Sequence, residues 1–292
     1  MKMGVTRAIV RYAFCPLMLV GVNGVALWLV SEGAPKPWLL VLLAGAVALS
    51  FSAERLLPYE RDWNRSHGDG RRDLLHALVN EAANFGTLLL LPVLTSLLAF
   101  DGVWPHAWPF VAQVIFAVLV LDIGVALAHY ASHRAELLWR FHAVHHSVKR
   151  MYGFNGLMKH PVHQAIETAA GTAPLVVMGL PADVAVVMVF CVAIQLLLQH
   201  SNVAYSVGPL RKLLAVNEVH RFHHQGDPAL GDVNFGLFTT LVDHVLGTFH
   251  YEERGPFTSG ELGIGAEPNY PVNYAAQLAA PFRRSPRVEA AG

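Results

Sequence analysis

The chain has 292 residues, of which 54% are hydrophobic and only 14% charged, with a mean hydropathy of +0.40. A soluble domain usually carries about 25% charged residues, so the composition excludes an ordinary soluble globule and points to a membrane protein. Net charge is zero with histidine neutral, which leaves no footprint for nucleic acid, and the two distant cysteines, Cys15 and Cys191, exclude a disulfide framework or a CxxC motif.

Lys2, Arg7 and Arg11 precede an apolar run from Phe14 to Val30. A signal peptide has the same opening, but no small-x-small cleavage site closes the run, so a retained first span is expected. Trp38 to Ser52 reads as a second span. Residues 53–74 are polar and turn-rich and read as a loop. Leu75 to Phe100 is a third span, interrupted by Asn80, Glu81 and Asn84. Such groups are costly in lipid and face a protein interior or a boundary, so they either line a passage or mark the membrane edge. Pro109 to Ala128 is a fourth span. Residues 164–199 hold two shorter apolar stretches divided by Gly179-Leu180-Pro181, read as a helical hairpin that enters and returns on one side. Residues 200–253 are of mixed polarity, and a loosely basic tail follows from Arg254, fraying at its end.

With the N-terminus inside, 20 of the 21 lysines and arginines fall on inside segments and only Lys36 lies outside. This obeys the positive-inside rule. Sixteen of the 21 are arginine, the bias of a GC-rich bacterial genome, so a bacterial inner membrane is the expected location. The fold expected is all-α: a polytopic membrane bundle under a cytoplasmic, histidine-rich, metal-binding helical cap. Its parts are N-terminal spans over 1–111, a region over 112–250 that the family resemblance given below implies is the catalytic domain, and a cytoplasmic tail over 251–292.

Histidines concentrate just past the fourth span. His129 and His133 are four apart, His142, His145 and His146 form HxxHH, and the pattern returns as His220, His223 and His224. Residues three and four apart share a helix face, so each cluster can aim two or three imidazoles at one point. Single histidines are usually surface or capping residues, but three clusters in one apolar chain predict a transition-metal site, with iron and zinc both suited to imidazole.

The ordered set Asp122…His129-x3-His133-Arg134…Trp139-Arg140-Phe141-His142-x2-His145-His146-Ser147 resembles the fatty acid hydroxylase/sterol desaturase superfamily of membrane di-iron proteins. So do His200-Ser201-Asn202, His220-x2-His223-His224, Asp232-x-Asn234-Phe235-Gly236 and Asp243-x3-Gly247-Thr248. The resemblance spans about residues 112–250. It implies two irons held by His129, His133, His142, His145, His146, His220, His223 and His224, the same residues being the catalytic set, with His200 as a further ligand or a hydrogen-bonding neighbour. Three positions depart from the family pattern. Tyr130 stands where an arginine is frequent, Asn217 where a proline often precedes the last motif, and His163 closes a segment that commonly ends in glutamate.

Ligating imidazoles need an acceptor on their second nitrogen, and Asp122, Asp232, Asn234 and Asp243 are candidates; Asp122 reads equally as a span-end cap, and Asp243 reads rather as a structural residue. Trp139 reads as packing. His160 and His163 read as head-group contacts, as neighbours of the ligands or as polar surface, while His67, His106 and His250 receive no role. The resemblance implies an O₂-dependent lipid hydroxylase acting on an acyl chain or amino-lipid, with a sterol or carotenoid desaturase or hydroxylase as the alternative. No dinucleotide, flavin or haem-attachment motif appears, so electrons are expected from a separate ferredoxin or a cytochrome b5-like carrier with its reductase. A haem carrier or a metal transporter is the non-enzymatic alternative.

Overall fold

The computed structural model describes residues 4–283. The readings that rest on Lys2, Arg284 and Arg287, and on the fraying of the last residues, lie outside the described residues. Five helices are long and apolar enough to cross a membrane: α1 (Val5–Ser31), α2 (Pro37–Leu56), α3 (Gly70–Leu98), α4 (Phe110–Arg134) and, below, α7 (Ala182–His200). Between them lie α5 (Glu136–His146) and α6 (Pro161–Val177); α8 (Asn217–His223), α9 (Leu241–Leu246) and α10 (Tyr274–Ala279) follow. No strand occurs among the described residues, only isolated bridges such as Leu214 with Thr239.

The expected hairpin is α6 and α7, reversing at Gly179 with φ +86°. Of its arms, α6 has 17 residues and α7 has 19, so only the second meets the length for a crossing. Residues at both open ends of the hairpin, His163 and His200, reach the histidine clusters, so α6 runs away from them and α7 returns. Two-thirds of α7's apolar window is buried (67%), against 17% for α3. Consequently α7 is the central post of the bundle, and α3 lies at its edge.

Outer faces are apolar rather than charged. Phe85, Leu89, Val93 and Leu97 form an exposed stripe at four-residue spacing on α3, and Ile115, Leu119, Ile123 and Leu127 do so on α4. Stripes of this kind have no aqueous rationale and suit contact with lipid. The tightest crossing is between α4 and α6. A Cβ on Gly124 would stand 2.2 Å from the Ala170 carbonyl oxygen, and one on Gly171 opposite 3.0 Å from Leu121. Paired glycines let two helix backbones touch, the usual device of membrane packing.

Polar groups gather at one end. The Glu54 carboxylate accepts from the backbone N–H groups of Gly153 and Asn202, tying α2 to the loops after α5 and α7. Arg150 donates twice to Asp69, through Nε at 2.7 Å and Nη2 at 2.8 Å, and Asp73 accepts from Tyr152 and Asn155. Burial alone would raise the Asp69 carboxyl, but Arg150 outweighs it and holds the group below the usual carboxylate range. Asn80 donates to the carbonyls of Leu157 and Lys159. Of the two readings open for the polar residues of α3, Asn80 therefore marks the polar end of the bundle, whereas Asn84 lines a slot described below.

Asp122 has a role that neither of its sequence readings contained, while Asp243 has the structural role favoured for it. Asp122 neither caps its span nor orients a histidine; its carboxylate accepts from the backbone N–H groups of Leu237, Phe238 and Thr239 and from the Thr239 hydroxyl. Asp243 accepts from the N–H groups of Phe235 and Gly236. Asn234, with φ +56°, exchanges hydrogen bonds with the backbone of His250 and also touches no imidazole. The motif residues after the last histidines thus fold a non-helical loop against α4.

Candidate metal centre

All nine singled-out histidines meet at the polar end, in two adjoining groups. His129, His133, His142, His146 and His223 form one, and His145, His200, His220 and His224 the other, with the ligand atoms of each group all within 4.8 Å of one another. Each HxxHH motif is divided between the groups. Successive residues on a helix point about 100° apart, so His145 and His146 on α5 face different groups, as do His223 and His224 at the end of α8.

The nitrogens are spaced for an ion. The Nε2 atoms of His129 and His142 are 3.1 Å apart, those of His142 and His146 3.0 Å, those of His146 and His223 3.0 Å, and His220 lies 3.1 Å from both His200 and His224. Adjacent ligands at about 2.1 Å from one ion and at right angles stand about 3.0 Å apart, so the donor set fits a bound transition metal. The same spacing leaves no room for a porphyrin between facing imidazoles.

The outer nitrogens fix the tautomers of the first group. His129 Nδ1 lies 2.9 Å from the Phe235 carbonyl and His223 Nδ1 2.8 Å from that of Val233. A carbonyl can only accept, so these protons sit on Nδ1 and the Nε2 lone pairs face the centre. His145 is held likewise by the Met158 carbonyl at 3.1 Å. His133 Nδ1 lies 3.3 Å from Asp232, whose other oxygen pairs with Arg134. Behind His142, the Nε2 of His163 is 2.8 Å from its Nδ1 and 3.1 Å from Glu167, and Glu167 pairs with Lys159. Asp232 is therefore the acceptor expected, and His163, left open among three readings, is a buried neighbour of a clustered histidine. Its pairing could not be read from the sequence, because it depends on how α6 crosses α5. His160 instead caps α6, accepting from the Val162 N–H.

Electrostatics favour neutral, ligand-ready rings. Burial, then the neighbouring imidazoles, hold His142, His145, His146, His220 and His224 well below the usual histidine range; for His223 burial also leads. For Asp232, burial would raise the carboxyl, but its hydrogen bonds to His133 and Arg134 leave it below the ordinary value.

Two cavities flank this assembly. A vestibule reaches His133, His146 and His223 directly and is otherwise lined by Trp139, by Arg134 with the acidic Glu136, Asp232 and Glu267, and by small or apolar residues such as Pro228, Gly263 and Ile264. Trp139 meets His133 edge-on and His146 at a tilt, at ring distances of 5.1 Å and 5.2 Å, so it packs against the rings as expected. The second cavity is an apolar slot between α3, α4, α6 and α7, bordered by Leu91, Leu121, Val125, Met188 and Leu196, with Lys159, Glu167 and Asn84 among its few polar residues. Of the histidines given no role, exposed His106 belongs to the loop before α4, and His67 contacts Asp62.

A family model described as fatty acid hydroxylase matches residues 114–248. The ornithine lipid hydroxylase OlsE of Rhizobium tropici is 34% identical over 264 residues, covering 87% of this chain and 78% of that protein. The chain belongs to the fatty acid hydroxylase family. Within the family, similarity extends to the alkylglycerol monooxygenases of Danio rerio and Homo sapiens, 29% and 27% identical over 146 and 155 residues. This chain spans about a third of the length of those two proteins, 31% and 34%. No solved structure matches.

Proposed function

We propose that the protein is a membrane-bound, O₂-dependent lipid hydroxylase of the di-iron type, acting near the polar end of an amino-lipid or acyl-lipid. The observation that carries this reading is the pair of adjoining imidazole groups with right-angle ligand spacing, one of them open to a charged vestibule. The nine histidines would hold two irons, five donors on one and four on the other. Bound there, iron would supply the power to activate O₂ and break a C–H bond. The protein's own part is to hold the donors in place. Carbonyls of Phe235, Val233 and Met158 fix three imidazoles, and Asp232 fixes His133 while pinning Arg134 at the vestibule wall. Trp139 packs against His133 and His146 at the vestibule wall.

Substrate class follows from the vestibule. Its mixed charges suit a polar or zwitterionic head group better than a sterol ring, and similarity to an ornithine lipid hydroxylase supports an amino-lipid. Electrons would come from a separate ferredoxin or a cytochrome b5-like protein with its reductase. The active site would face the cytoplasm of a bacterial inner membrane, in line with the arginine and lysine asymmetry. The test is reconstitution with ferredoxin, its reductase, NADPH and ¹⁸O₂ on total membrane lipid. A product heavier by one ¹⁸O atom is expected; loss of two hydrogens without retained label would overturn hydroxylation in favour of desaturation.

A further inference from the structure

We infer that residues 208–214 together with 237–246 form a re-entrant wedge that dips into the lipid leaflet beside α4. The inference rests on the membrane-spanning bundle and not on the oxidative reading above. Sequence polarity alone put this whole region outside the membrane.

Depth is set by Asp122. The chain leaves the level of His129, where the Phe235 carbonyl is bonded, and by Leu237 to Thr239 has reached the Asp122 carboxylate. Seven residues separate Asp122 from His129 on α4, which is about 10 Å at 1.5 Å per residue. At that level α4 shows lipid its outer face, with Ile123 40% exposed and Leu127, one turn nearer the metal groups, 47%. The loop therefore turns at a depth where α4 itself faces hydrocarbon.

What hangs from the turn is apolar. Leu241 and Val245 on α9 are 51% and 78% exposed. Thr240 clasps the 208–214 segment, its hydroxyl donating to the Lys212 carbonyl and its N–H to that of Leu213. That segment adds Leu210 and Leu213, 53% and 62% exposed. Single exposed apolar residues need no explanation; three leucines and a valine in one hydrogen-bonded unit, at the depth of a lipid-facing stripe, do. Of the two cations between the leucines, Arg211 is taken up by Glu218 and the Tyr251 ring, and exposed Lys212 has a stem long enough to reach the head groups. A second register agrees, since Tyr205, just ahead of the segment, packs on Phe14 in the third turn of α1, with ring centroids 5.7 Å apart.

Non-helical backbone is tolerated in a bilayer only when its polar groups are satisfied by protein, and here they are. Asp122 and Asp243 take the N–H groups of residues 235 to 239, while the amides of Gln195 and Gln199 donate to the carbonyls of Ala215, Gly236 and Leu237. Exposed water-facing loops have no need of two buried carboxylates and two buried amides for this purpose.

The experiment is depth-dependent quenching in liposomes. Cys15 and Cys191 are buried, so a thiol-reactive fluorophore will report from a cysteine introduced at Leu213, Val245 or Glu252, one per variant. Nitroxides carried on lipid acyl chains should quench the labels at 213 and 245 several-fold more than the label at 252, and aqueous iodide should show the reverse order. Equal iodide access at all three positions overturns the wedge. A variant that fails to fold is recognised by its elution profile and replaced by the same label at Leu210 or Leu241, for which the same order is expected. Neither outcome depends on turnover, so failure here leaves the hydroxylase reading to its own test.

Discussion

In the five-imidazole group the outer nitrogens of His129, His133, His142 and His223 all meet a carbonyl, a carboxylate or another imidazole. In the four-imidazole group those of His200, His220 and His224 meet no partner among the described residues, and only His145 is held from behind. The first group also opens to the vestibule, whereas the second is closed in by packing. Rings pinned through Nδ1 keep one tautomer and one orientation, so the first group is preset for its ion. Rings held by packing alone can turn to follow a change at theirs. On the proposed reading, substrate would meet the first group, and the second would play an adaptable supporting role.

Neighbouring histidines give the largest expected effect. His146→Ala should empty the first group and His145→Ala the second, each leaving about half the iron found by plasma emission and no turnover. If either variant keeps full iron and full activity, the division into two groups is wrong. Next come the residues behind the ligands. Asp232→Asn and His163→Ala should each weaken iron at the first group by about 10- to 100-fold, measured by competition with a calibrated chelator, and leave the second group's affinity unchanged. An equal loss at both would erase the distinction drawn above.

A smaller effect, common to both groups, is expected at Asp69. Its partner Arg150 follows α5, which supplies histidines to each group. Asp69→Asn should cost about 3 kcal/mol of stability by leaving a buried guanidinium unpaired, seen as a lower thermal midpoint with the iron ratio unchanged. Because the folded carboxyl lies below its unfolded value, the pair contributes fully above the unfolded pKa of about 3.9 and is lost as pH falls through the lower folded one. Wild-type protein should therefore lose its advantage over the variant only in acid. His106→Ala, exposed in the loop ahead of α4 and remote from both groups, should change nothing measurable.

Much of this was legible in the chain. Uncharged runs gave the spans, because length and hydropathy alone decide what can cross a bilayer. That the histidines would cluster was legible, because imidazoles at three- and four-residue spacing share a helix face. The division of each HxxHH between two groups was not, since it depends on how α5 and α8 face one another across the bundle. Asp122 was misread because a carboxylate in a span suggests a cap or a ligand's partner, and its real acceptor role serves a loop over a hundred residues away. His163 could be narrowed but not placed, as its pairing with His142 exists only once α6 has crossed beneath α5.

The backbone contact at Gly124 and Gly171 bears on how the molecule breathes. Two helices joined through their main chains have no side-chain layer to slide on, so α4 and α6 should move as a single body, carrying His129 and His163 together. The opposite wall of the apolar slot is α3, the least buried of the five long helices. Yet α3 is not loose from the metal groups: Asn80 holds the carbonyls of Leu157 and Lys159, on either side of the Met158 carbonyl that holds His145, so any displacement of α3 would be felt at the second group.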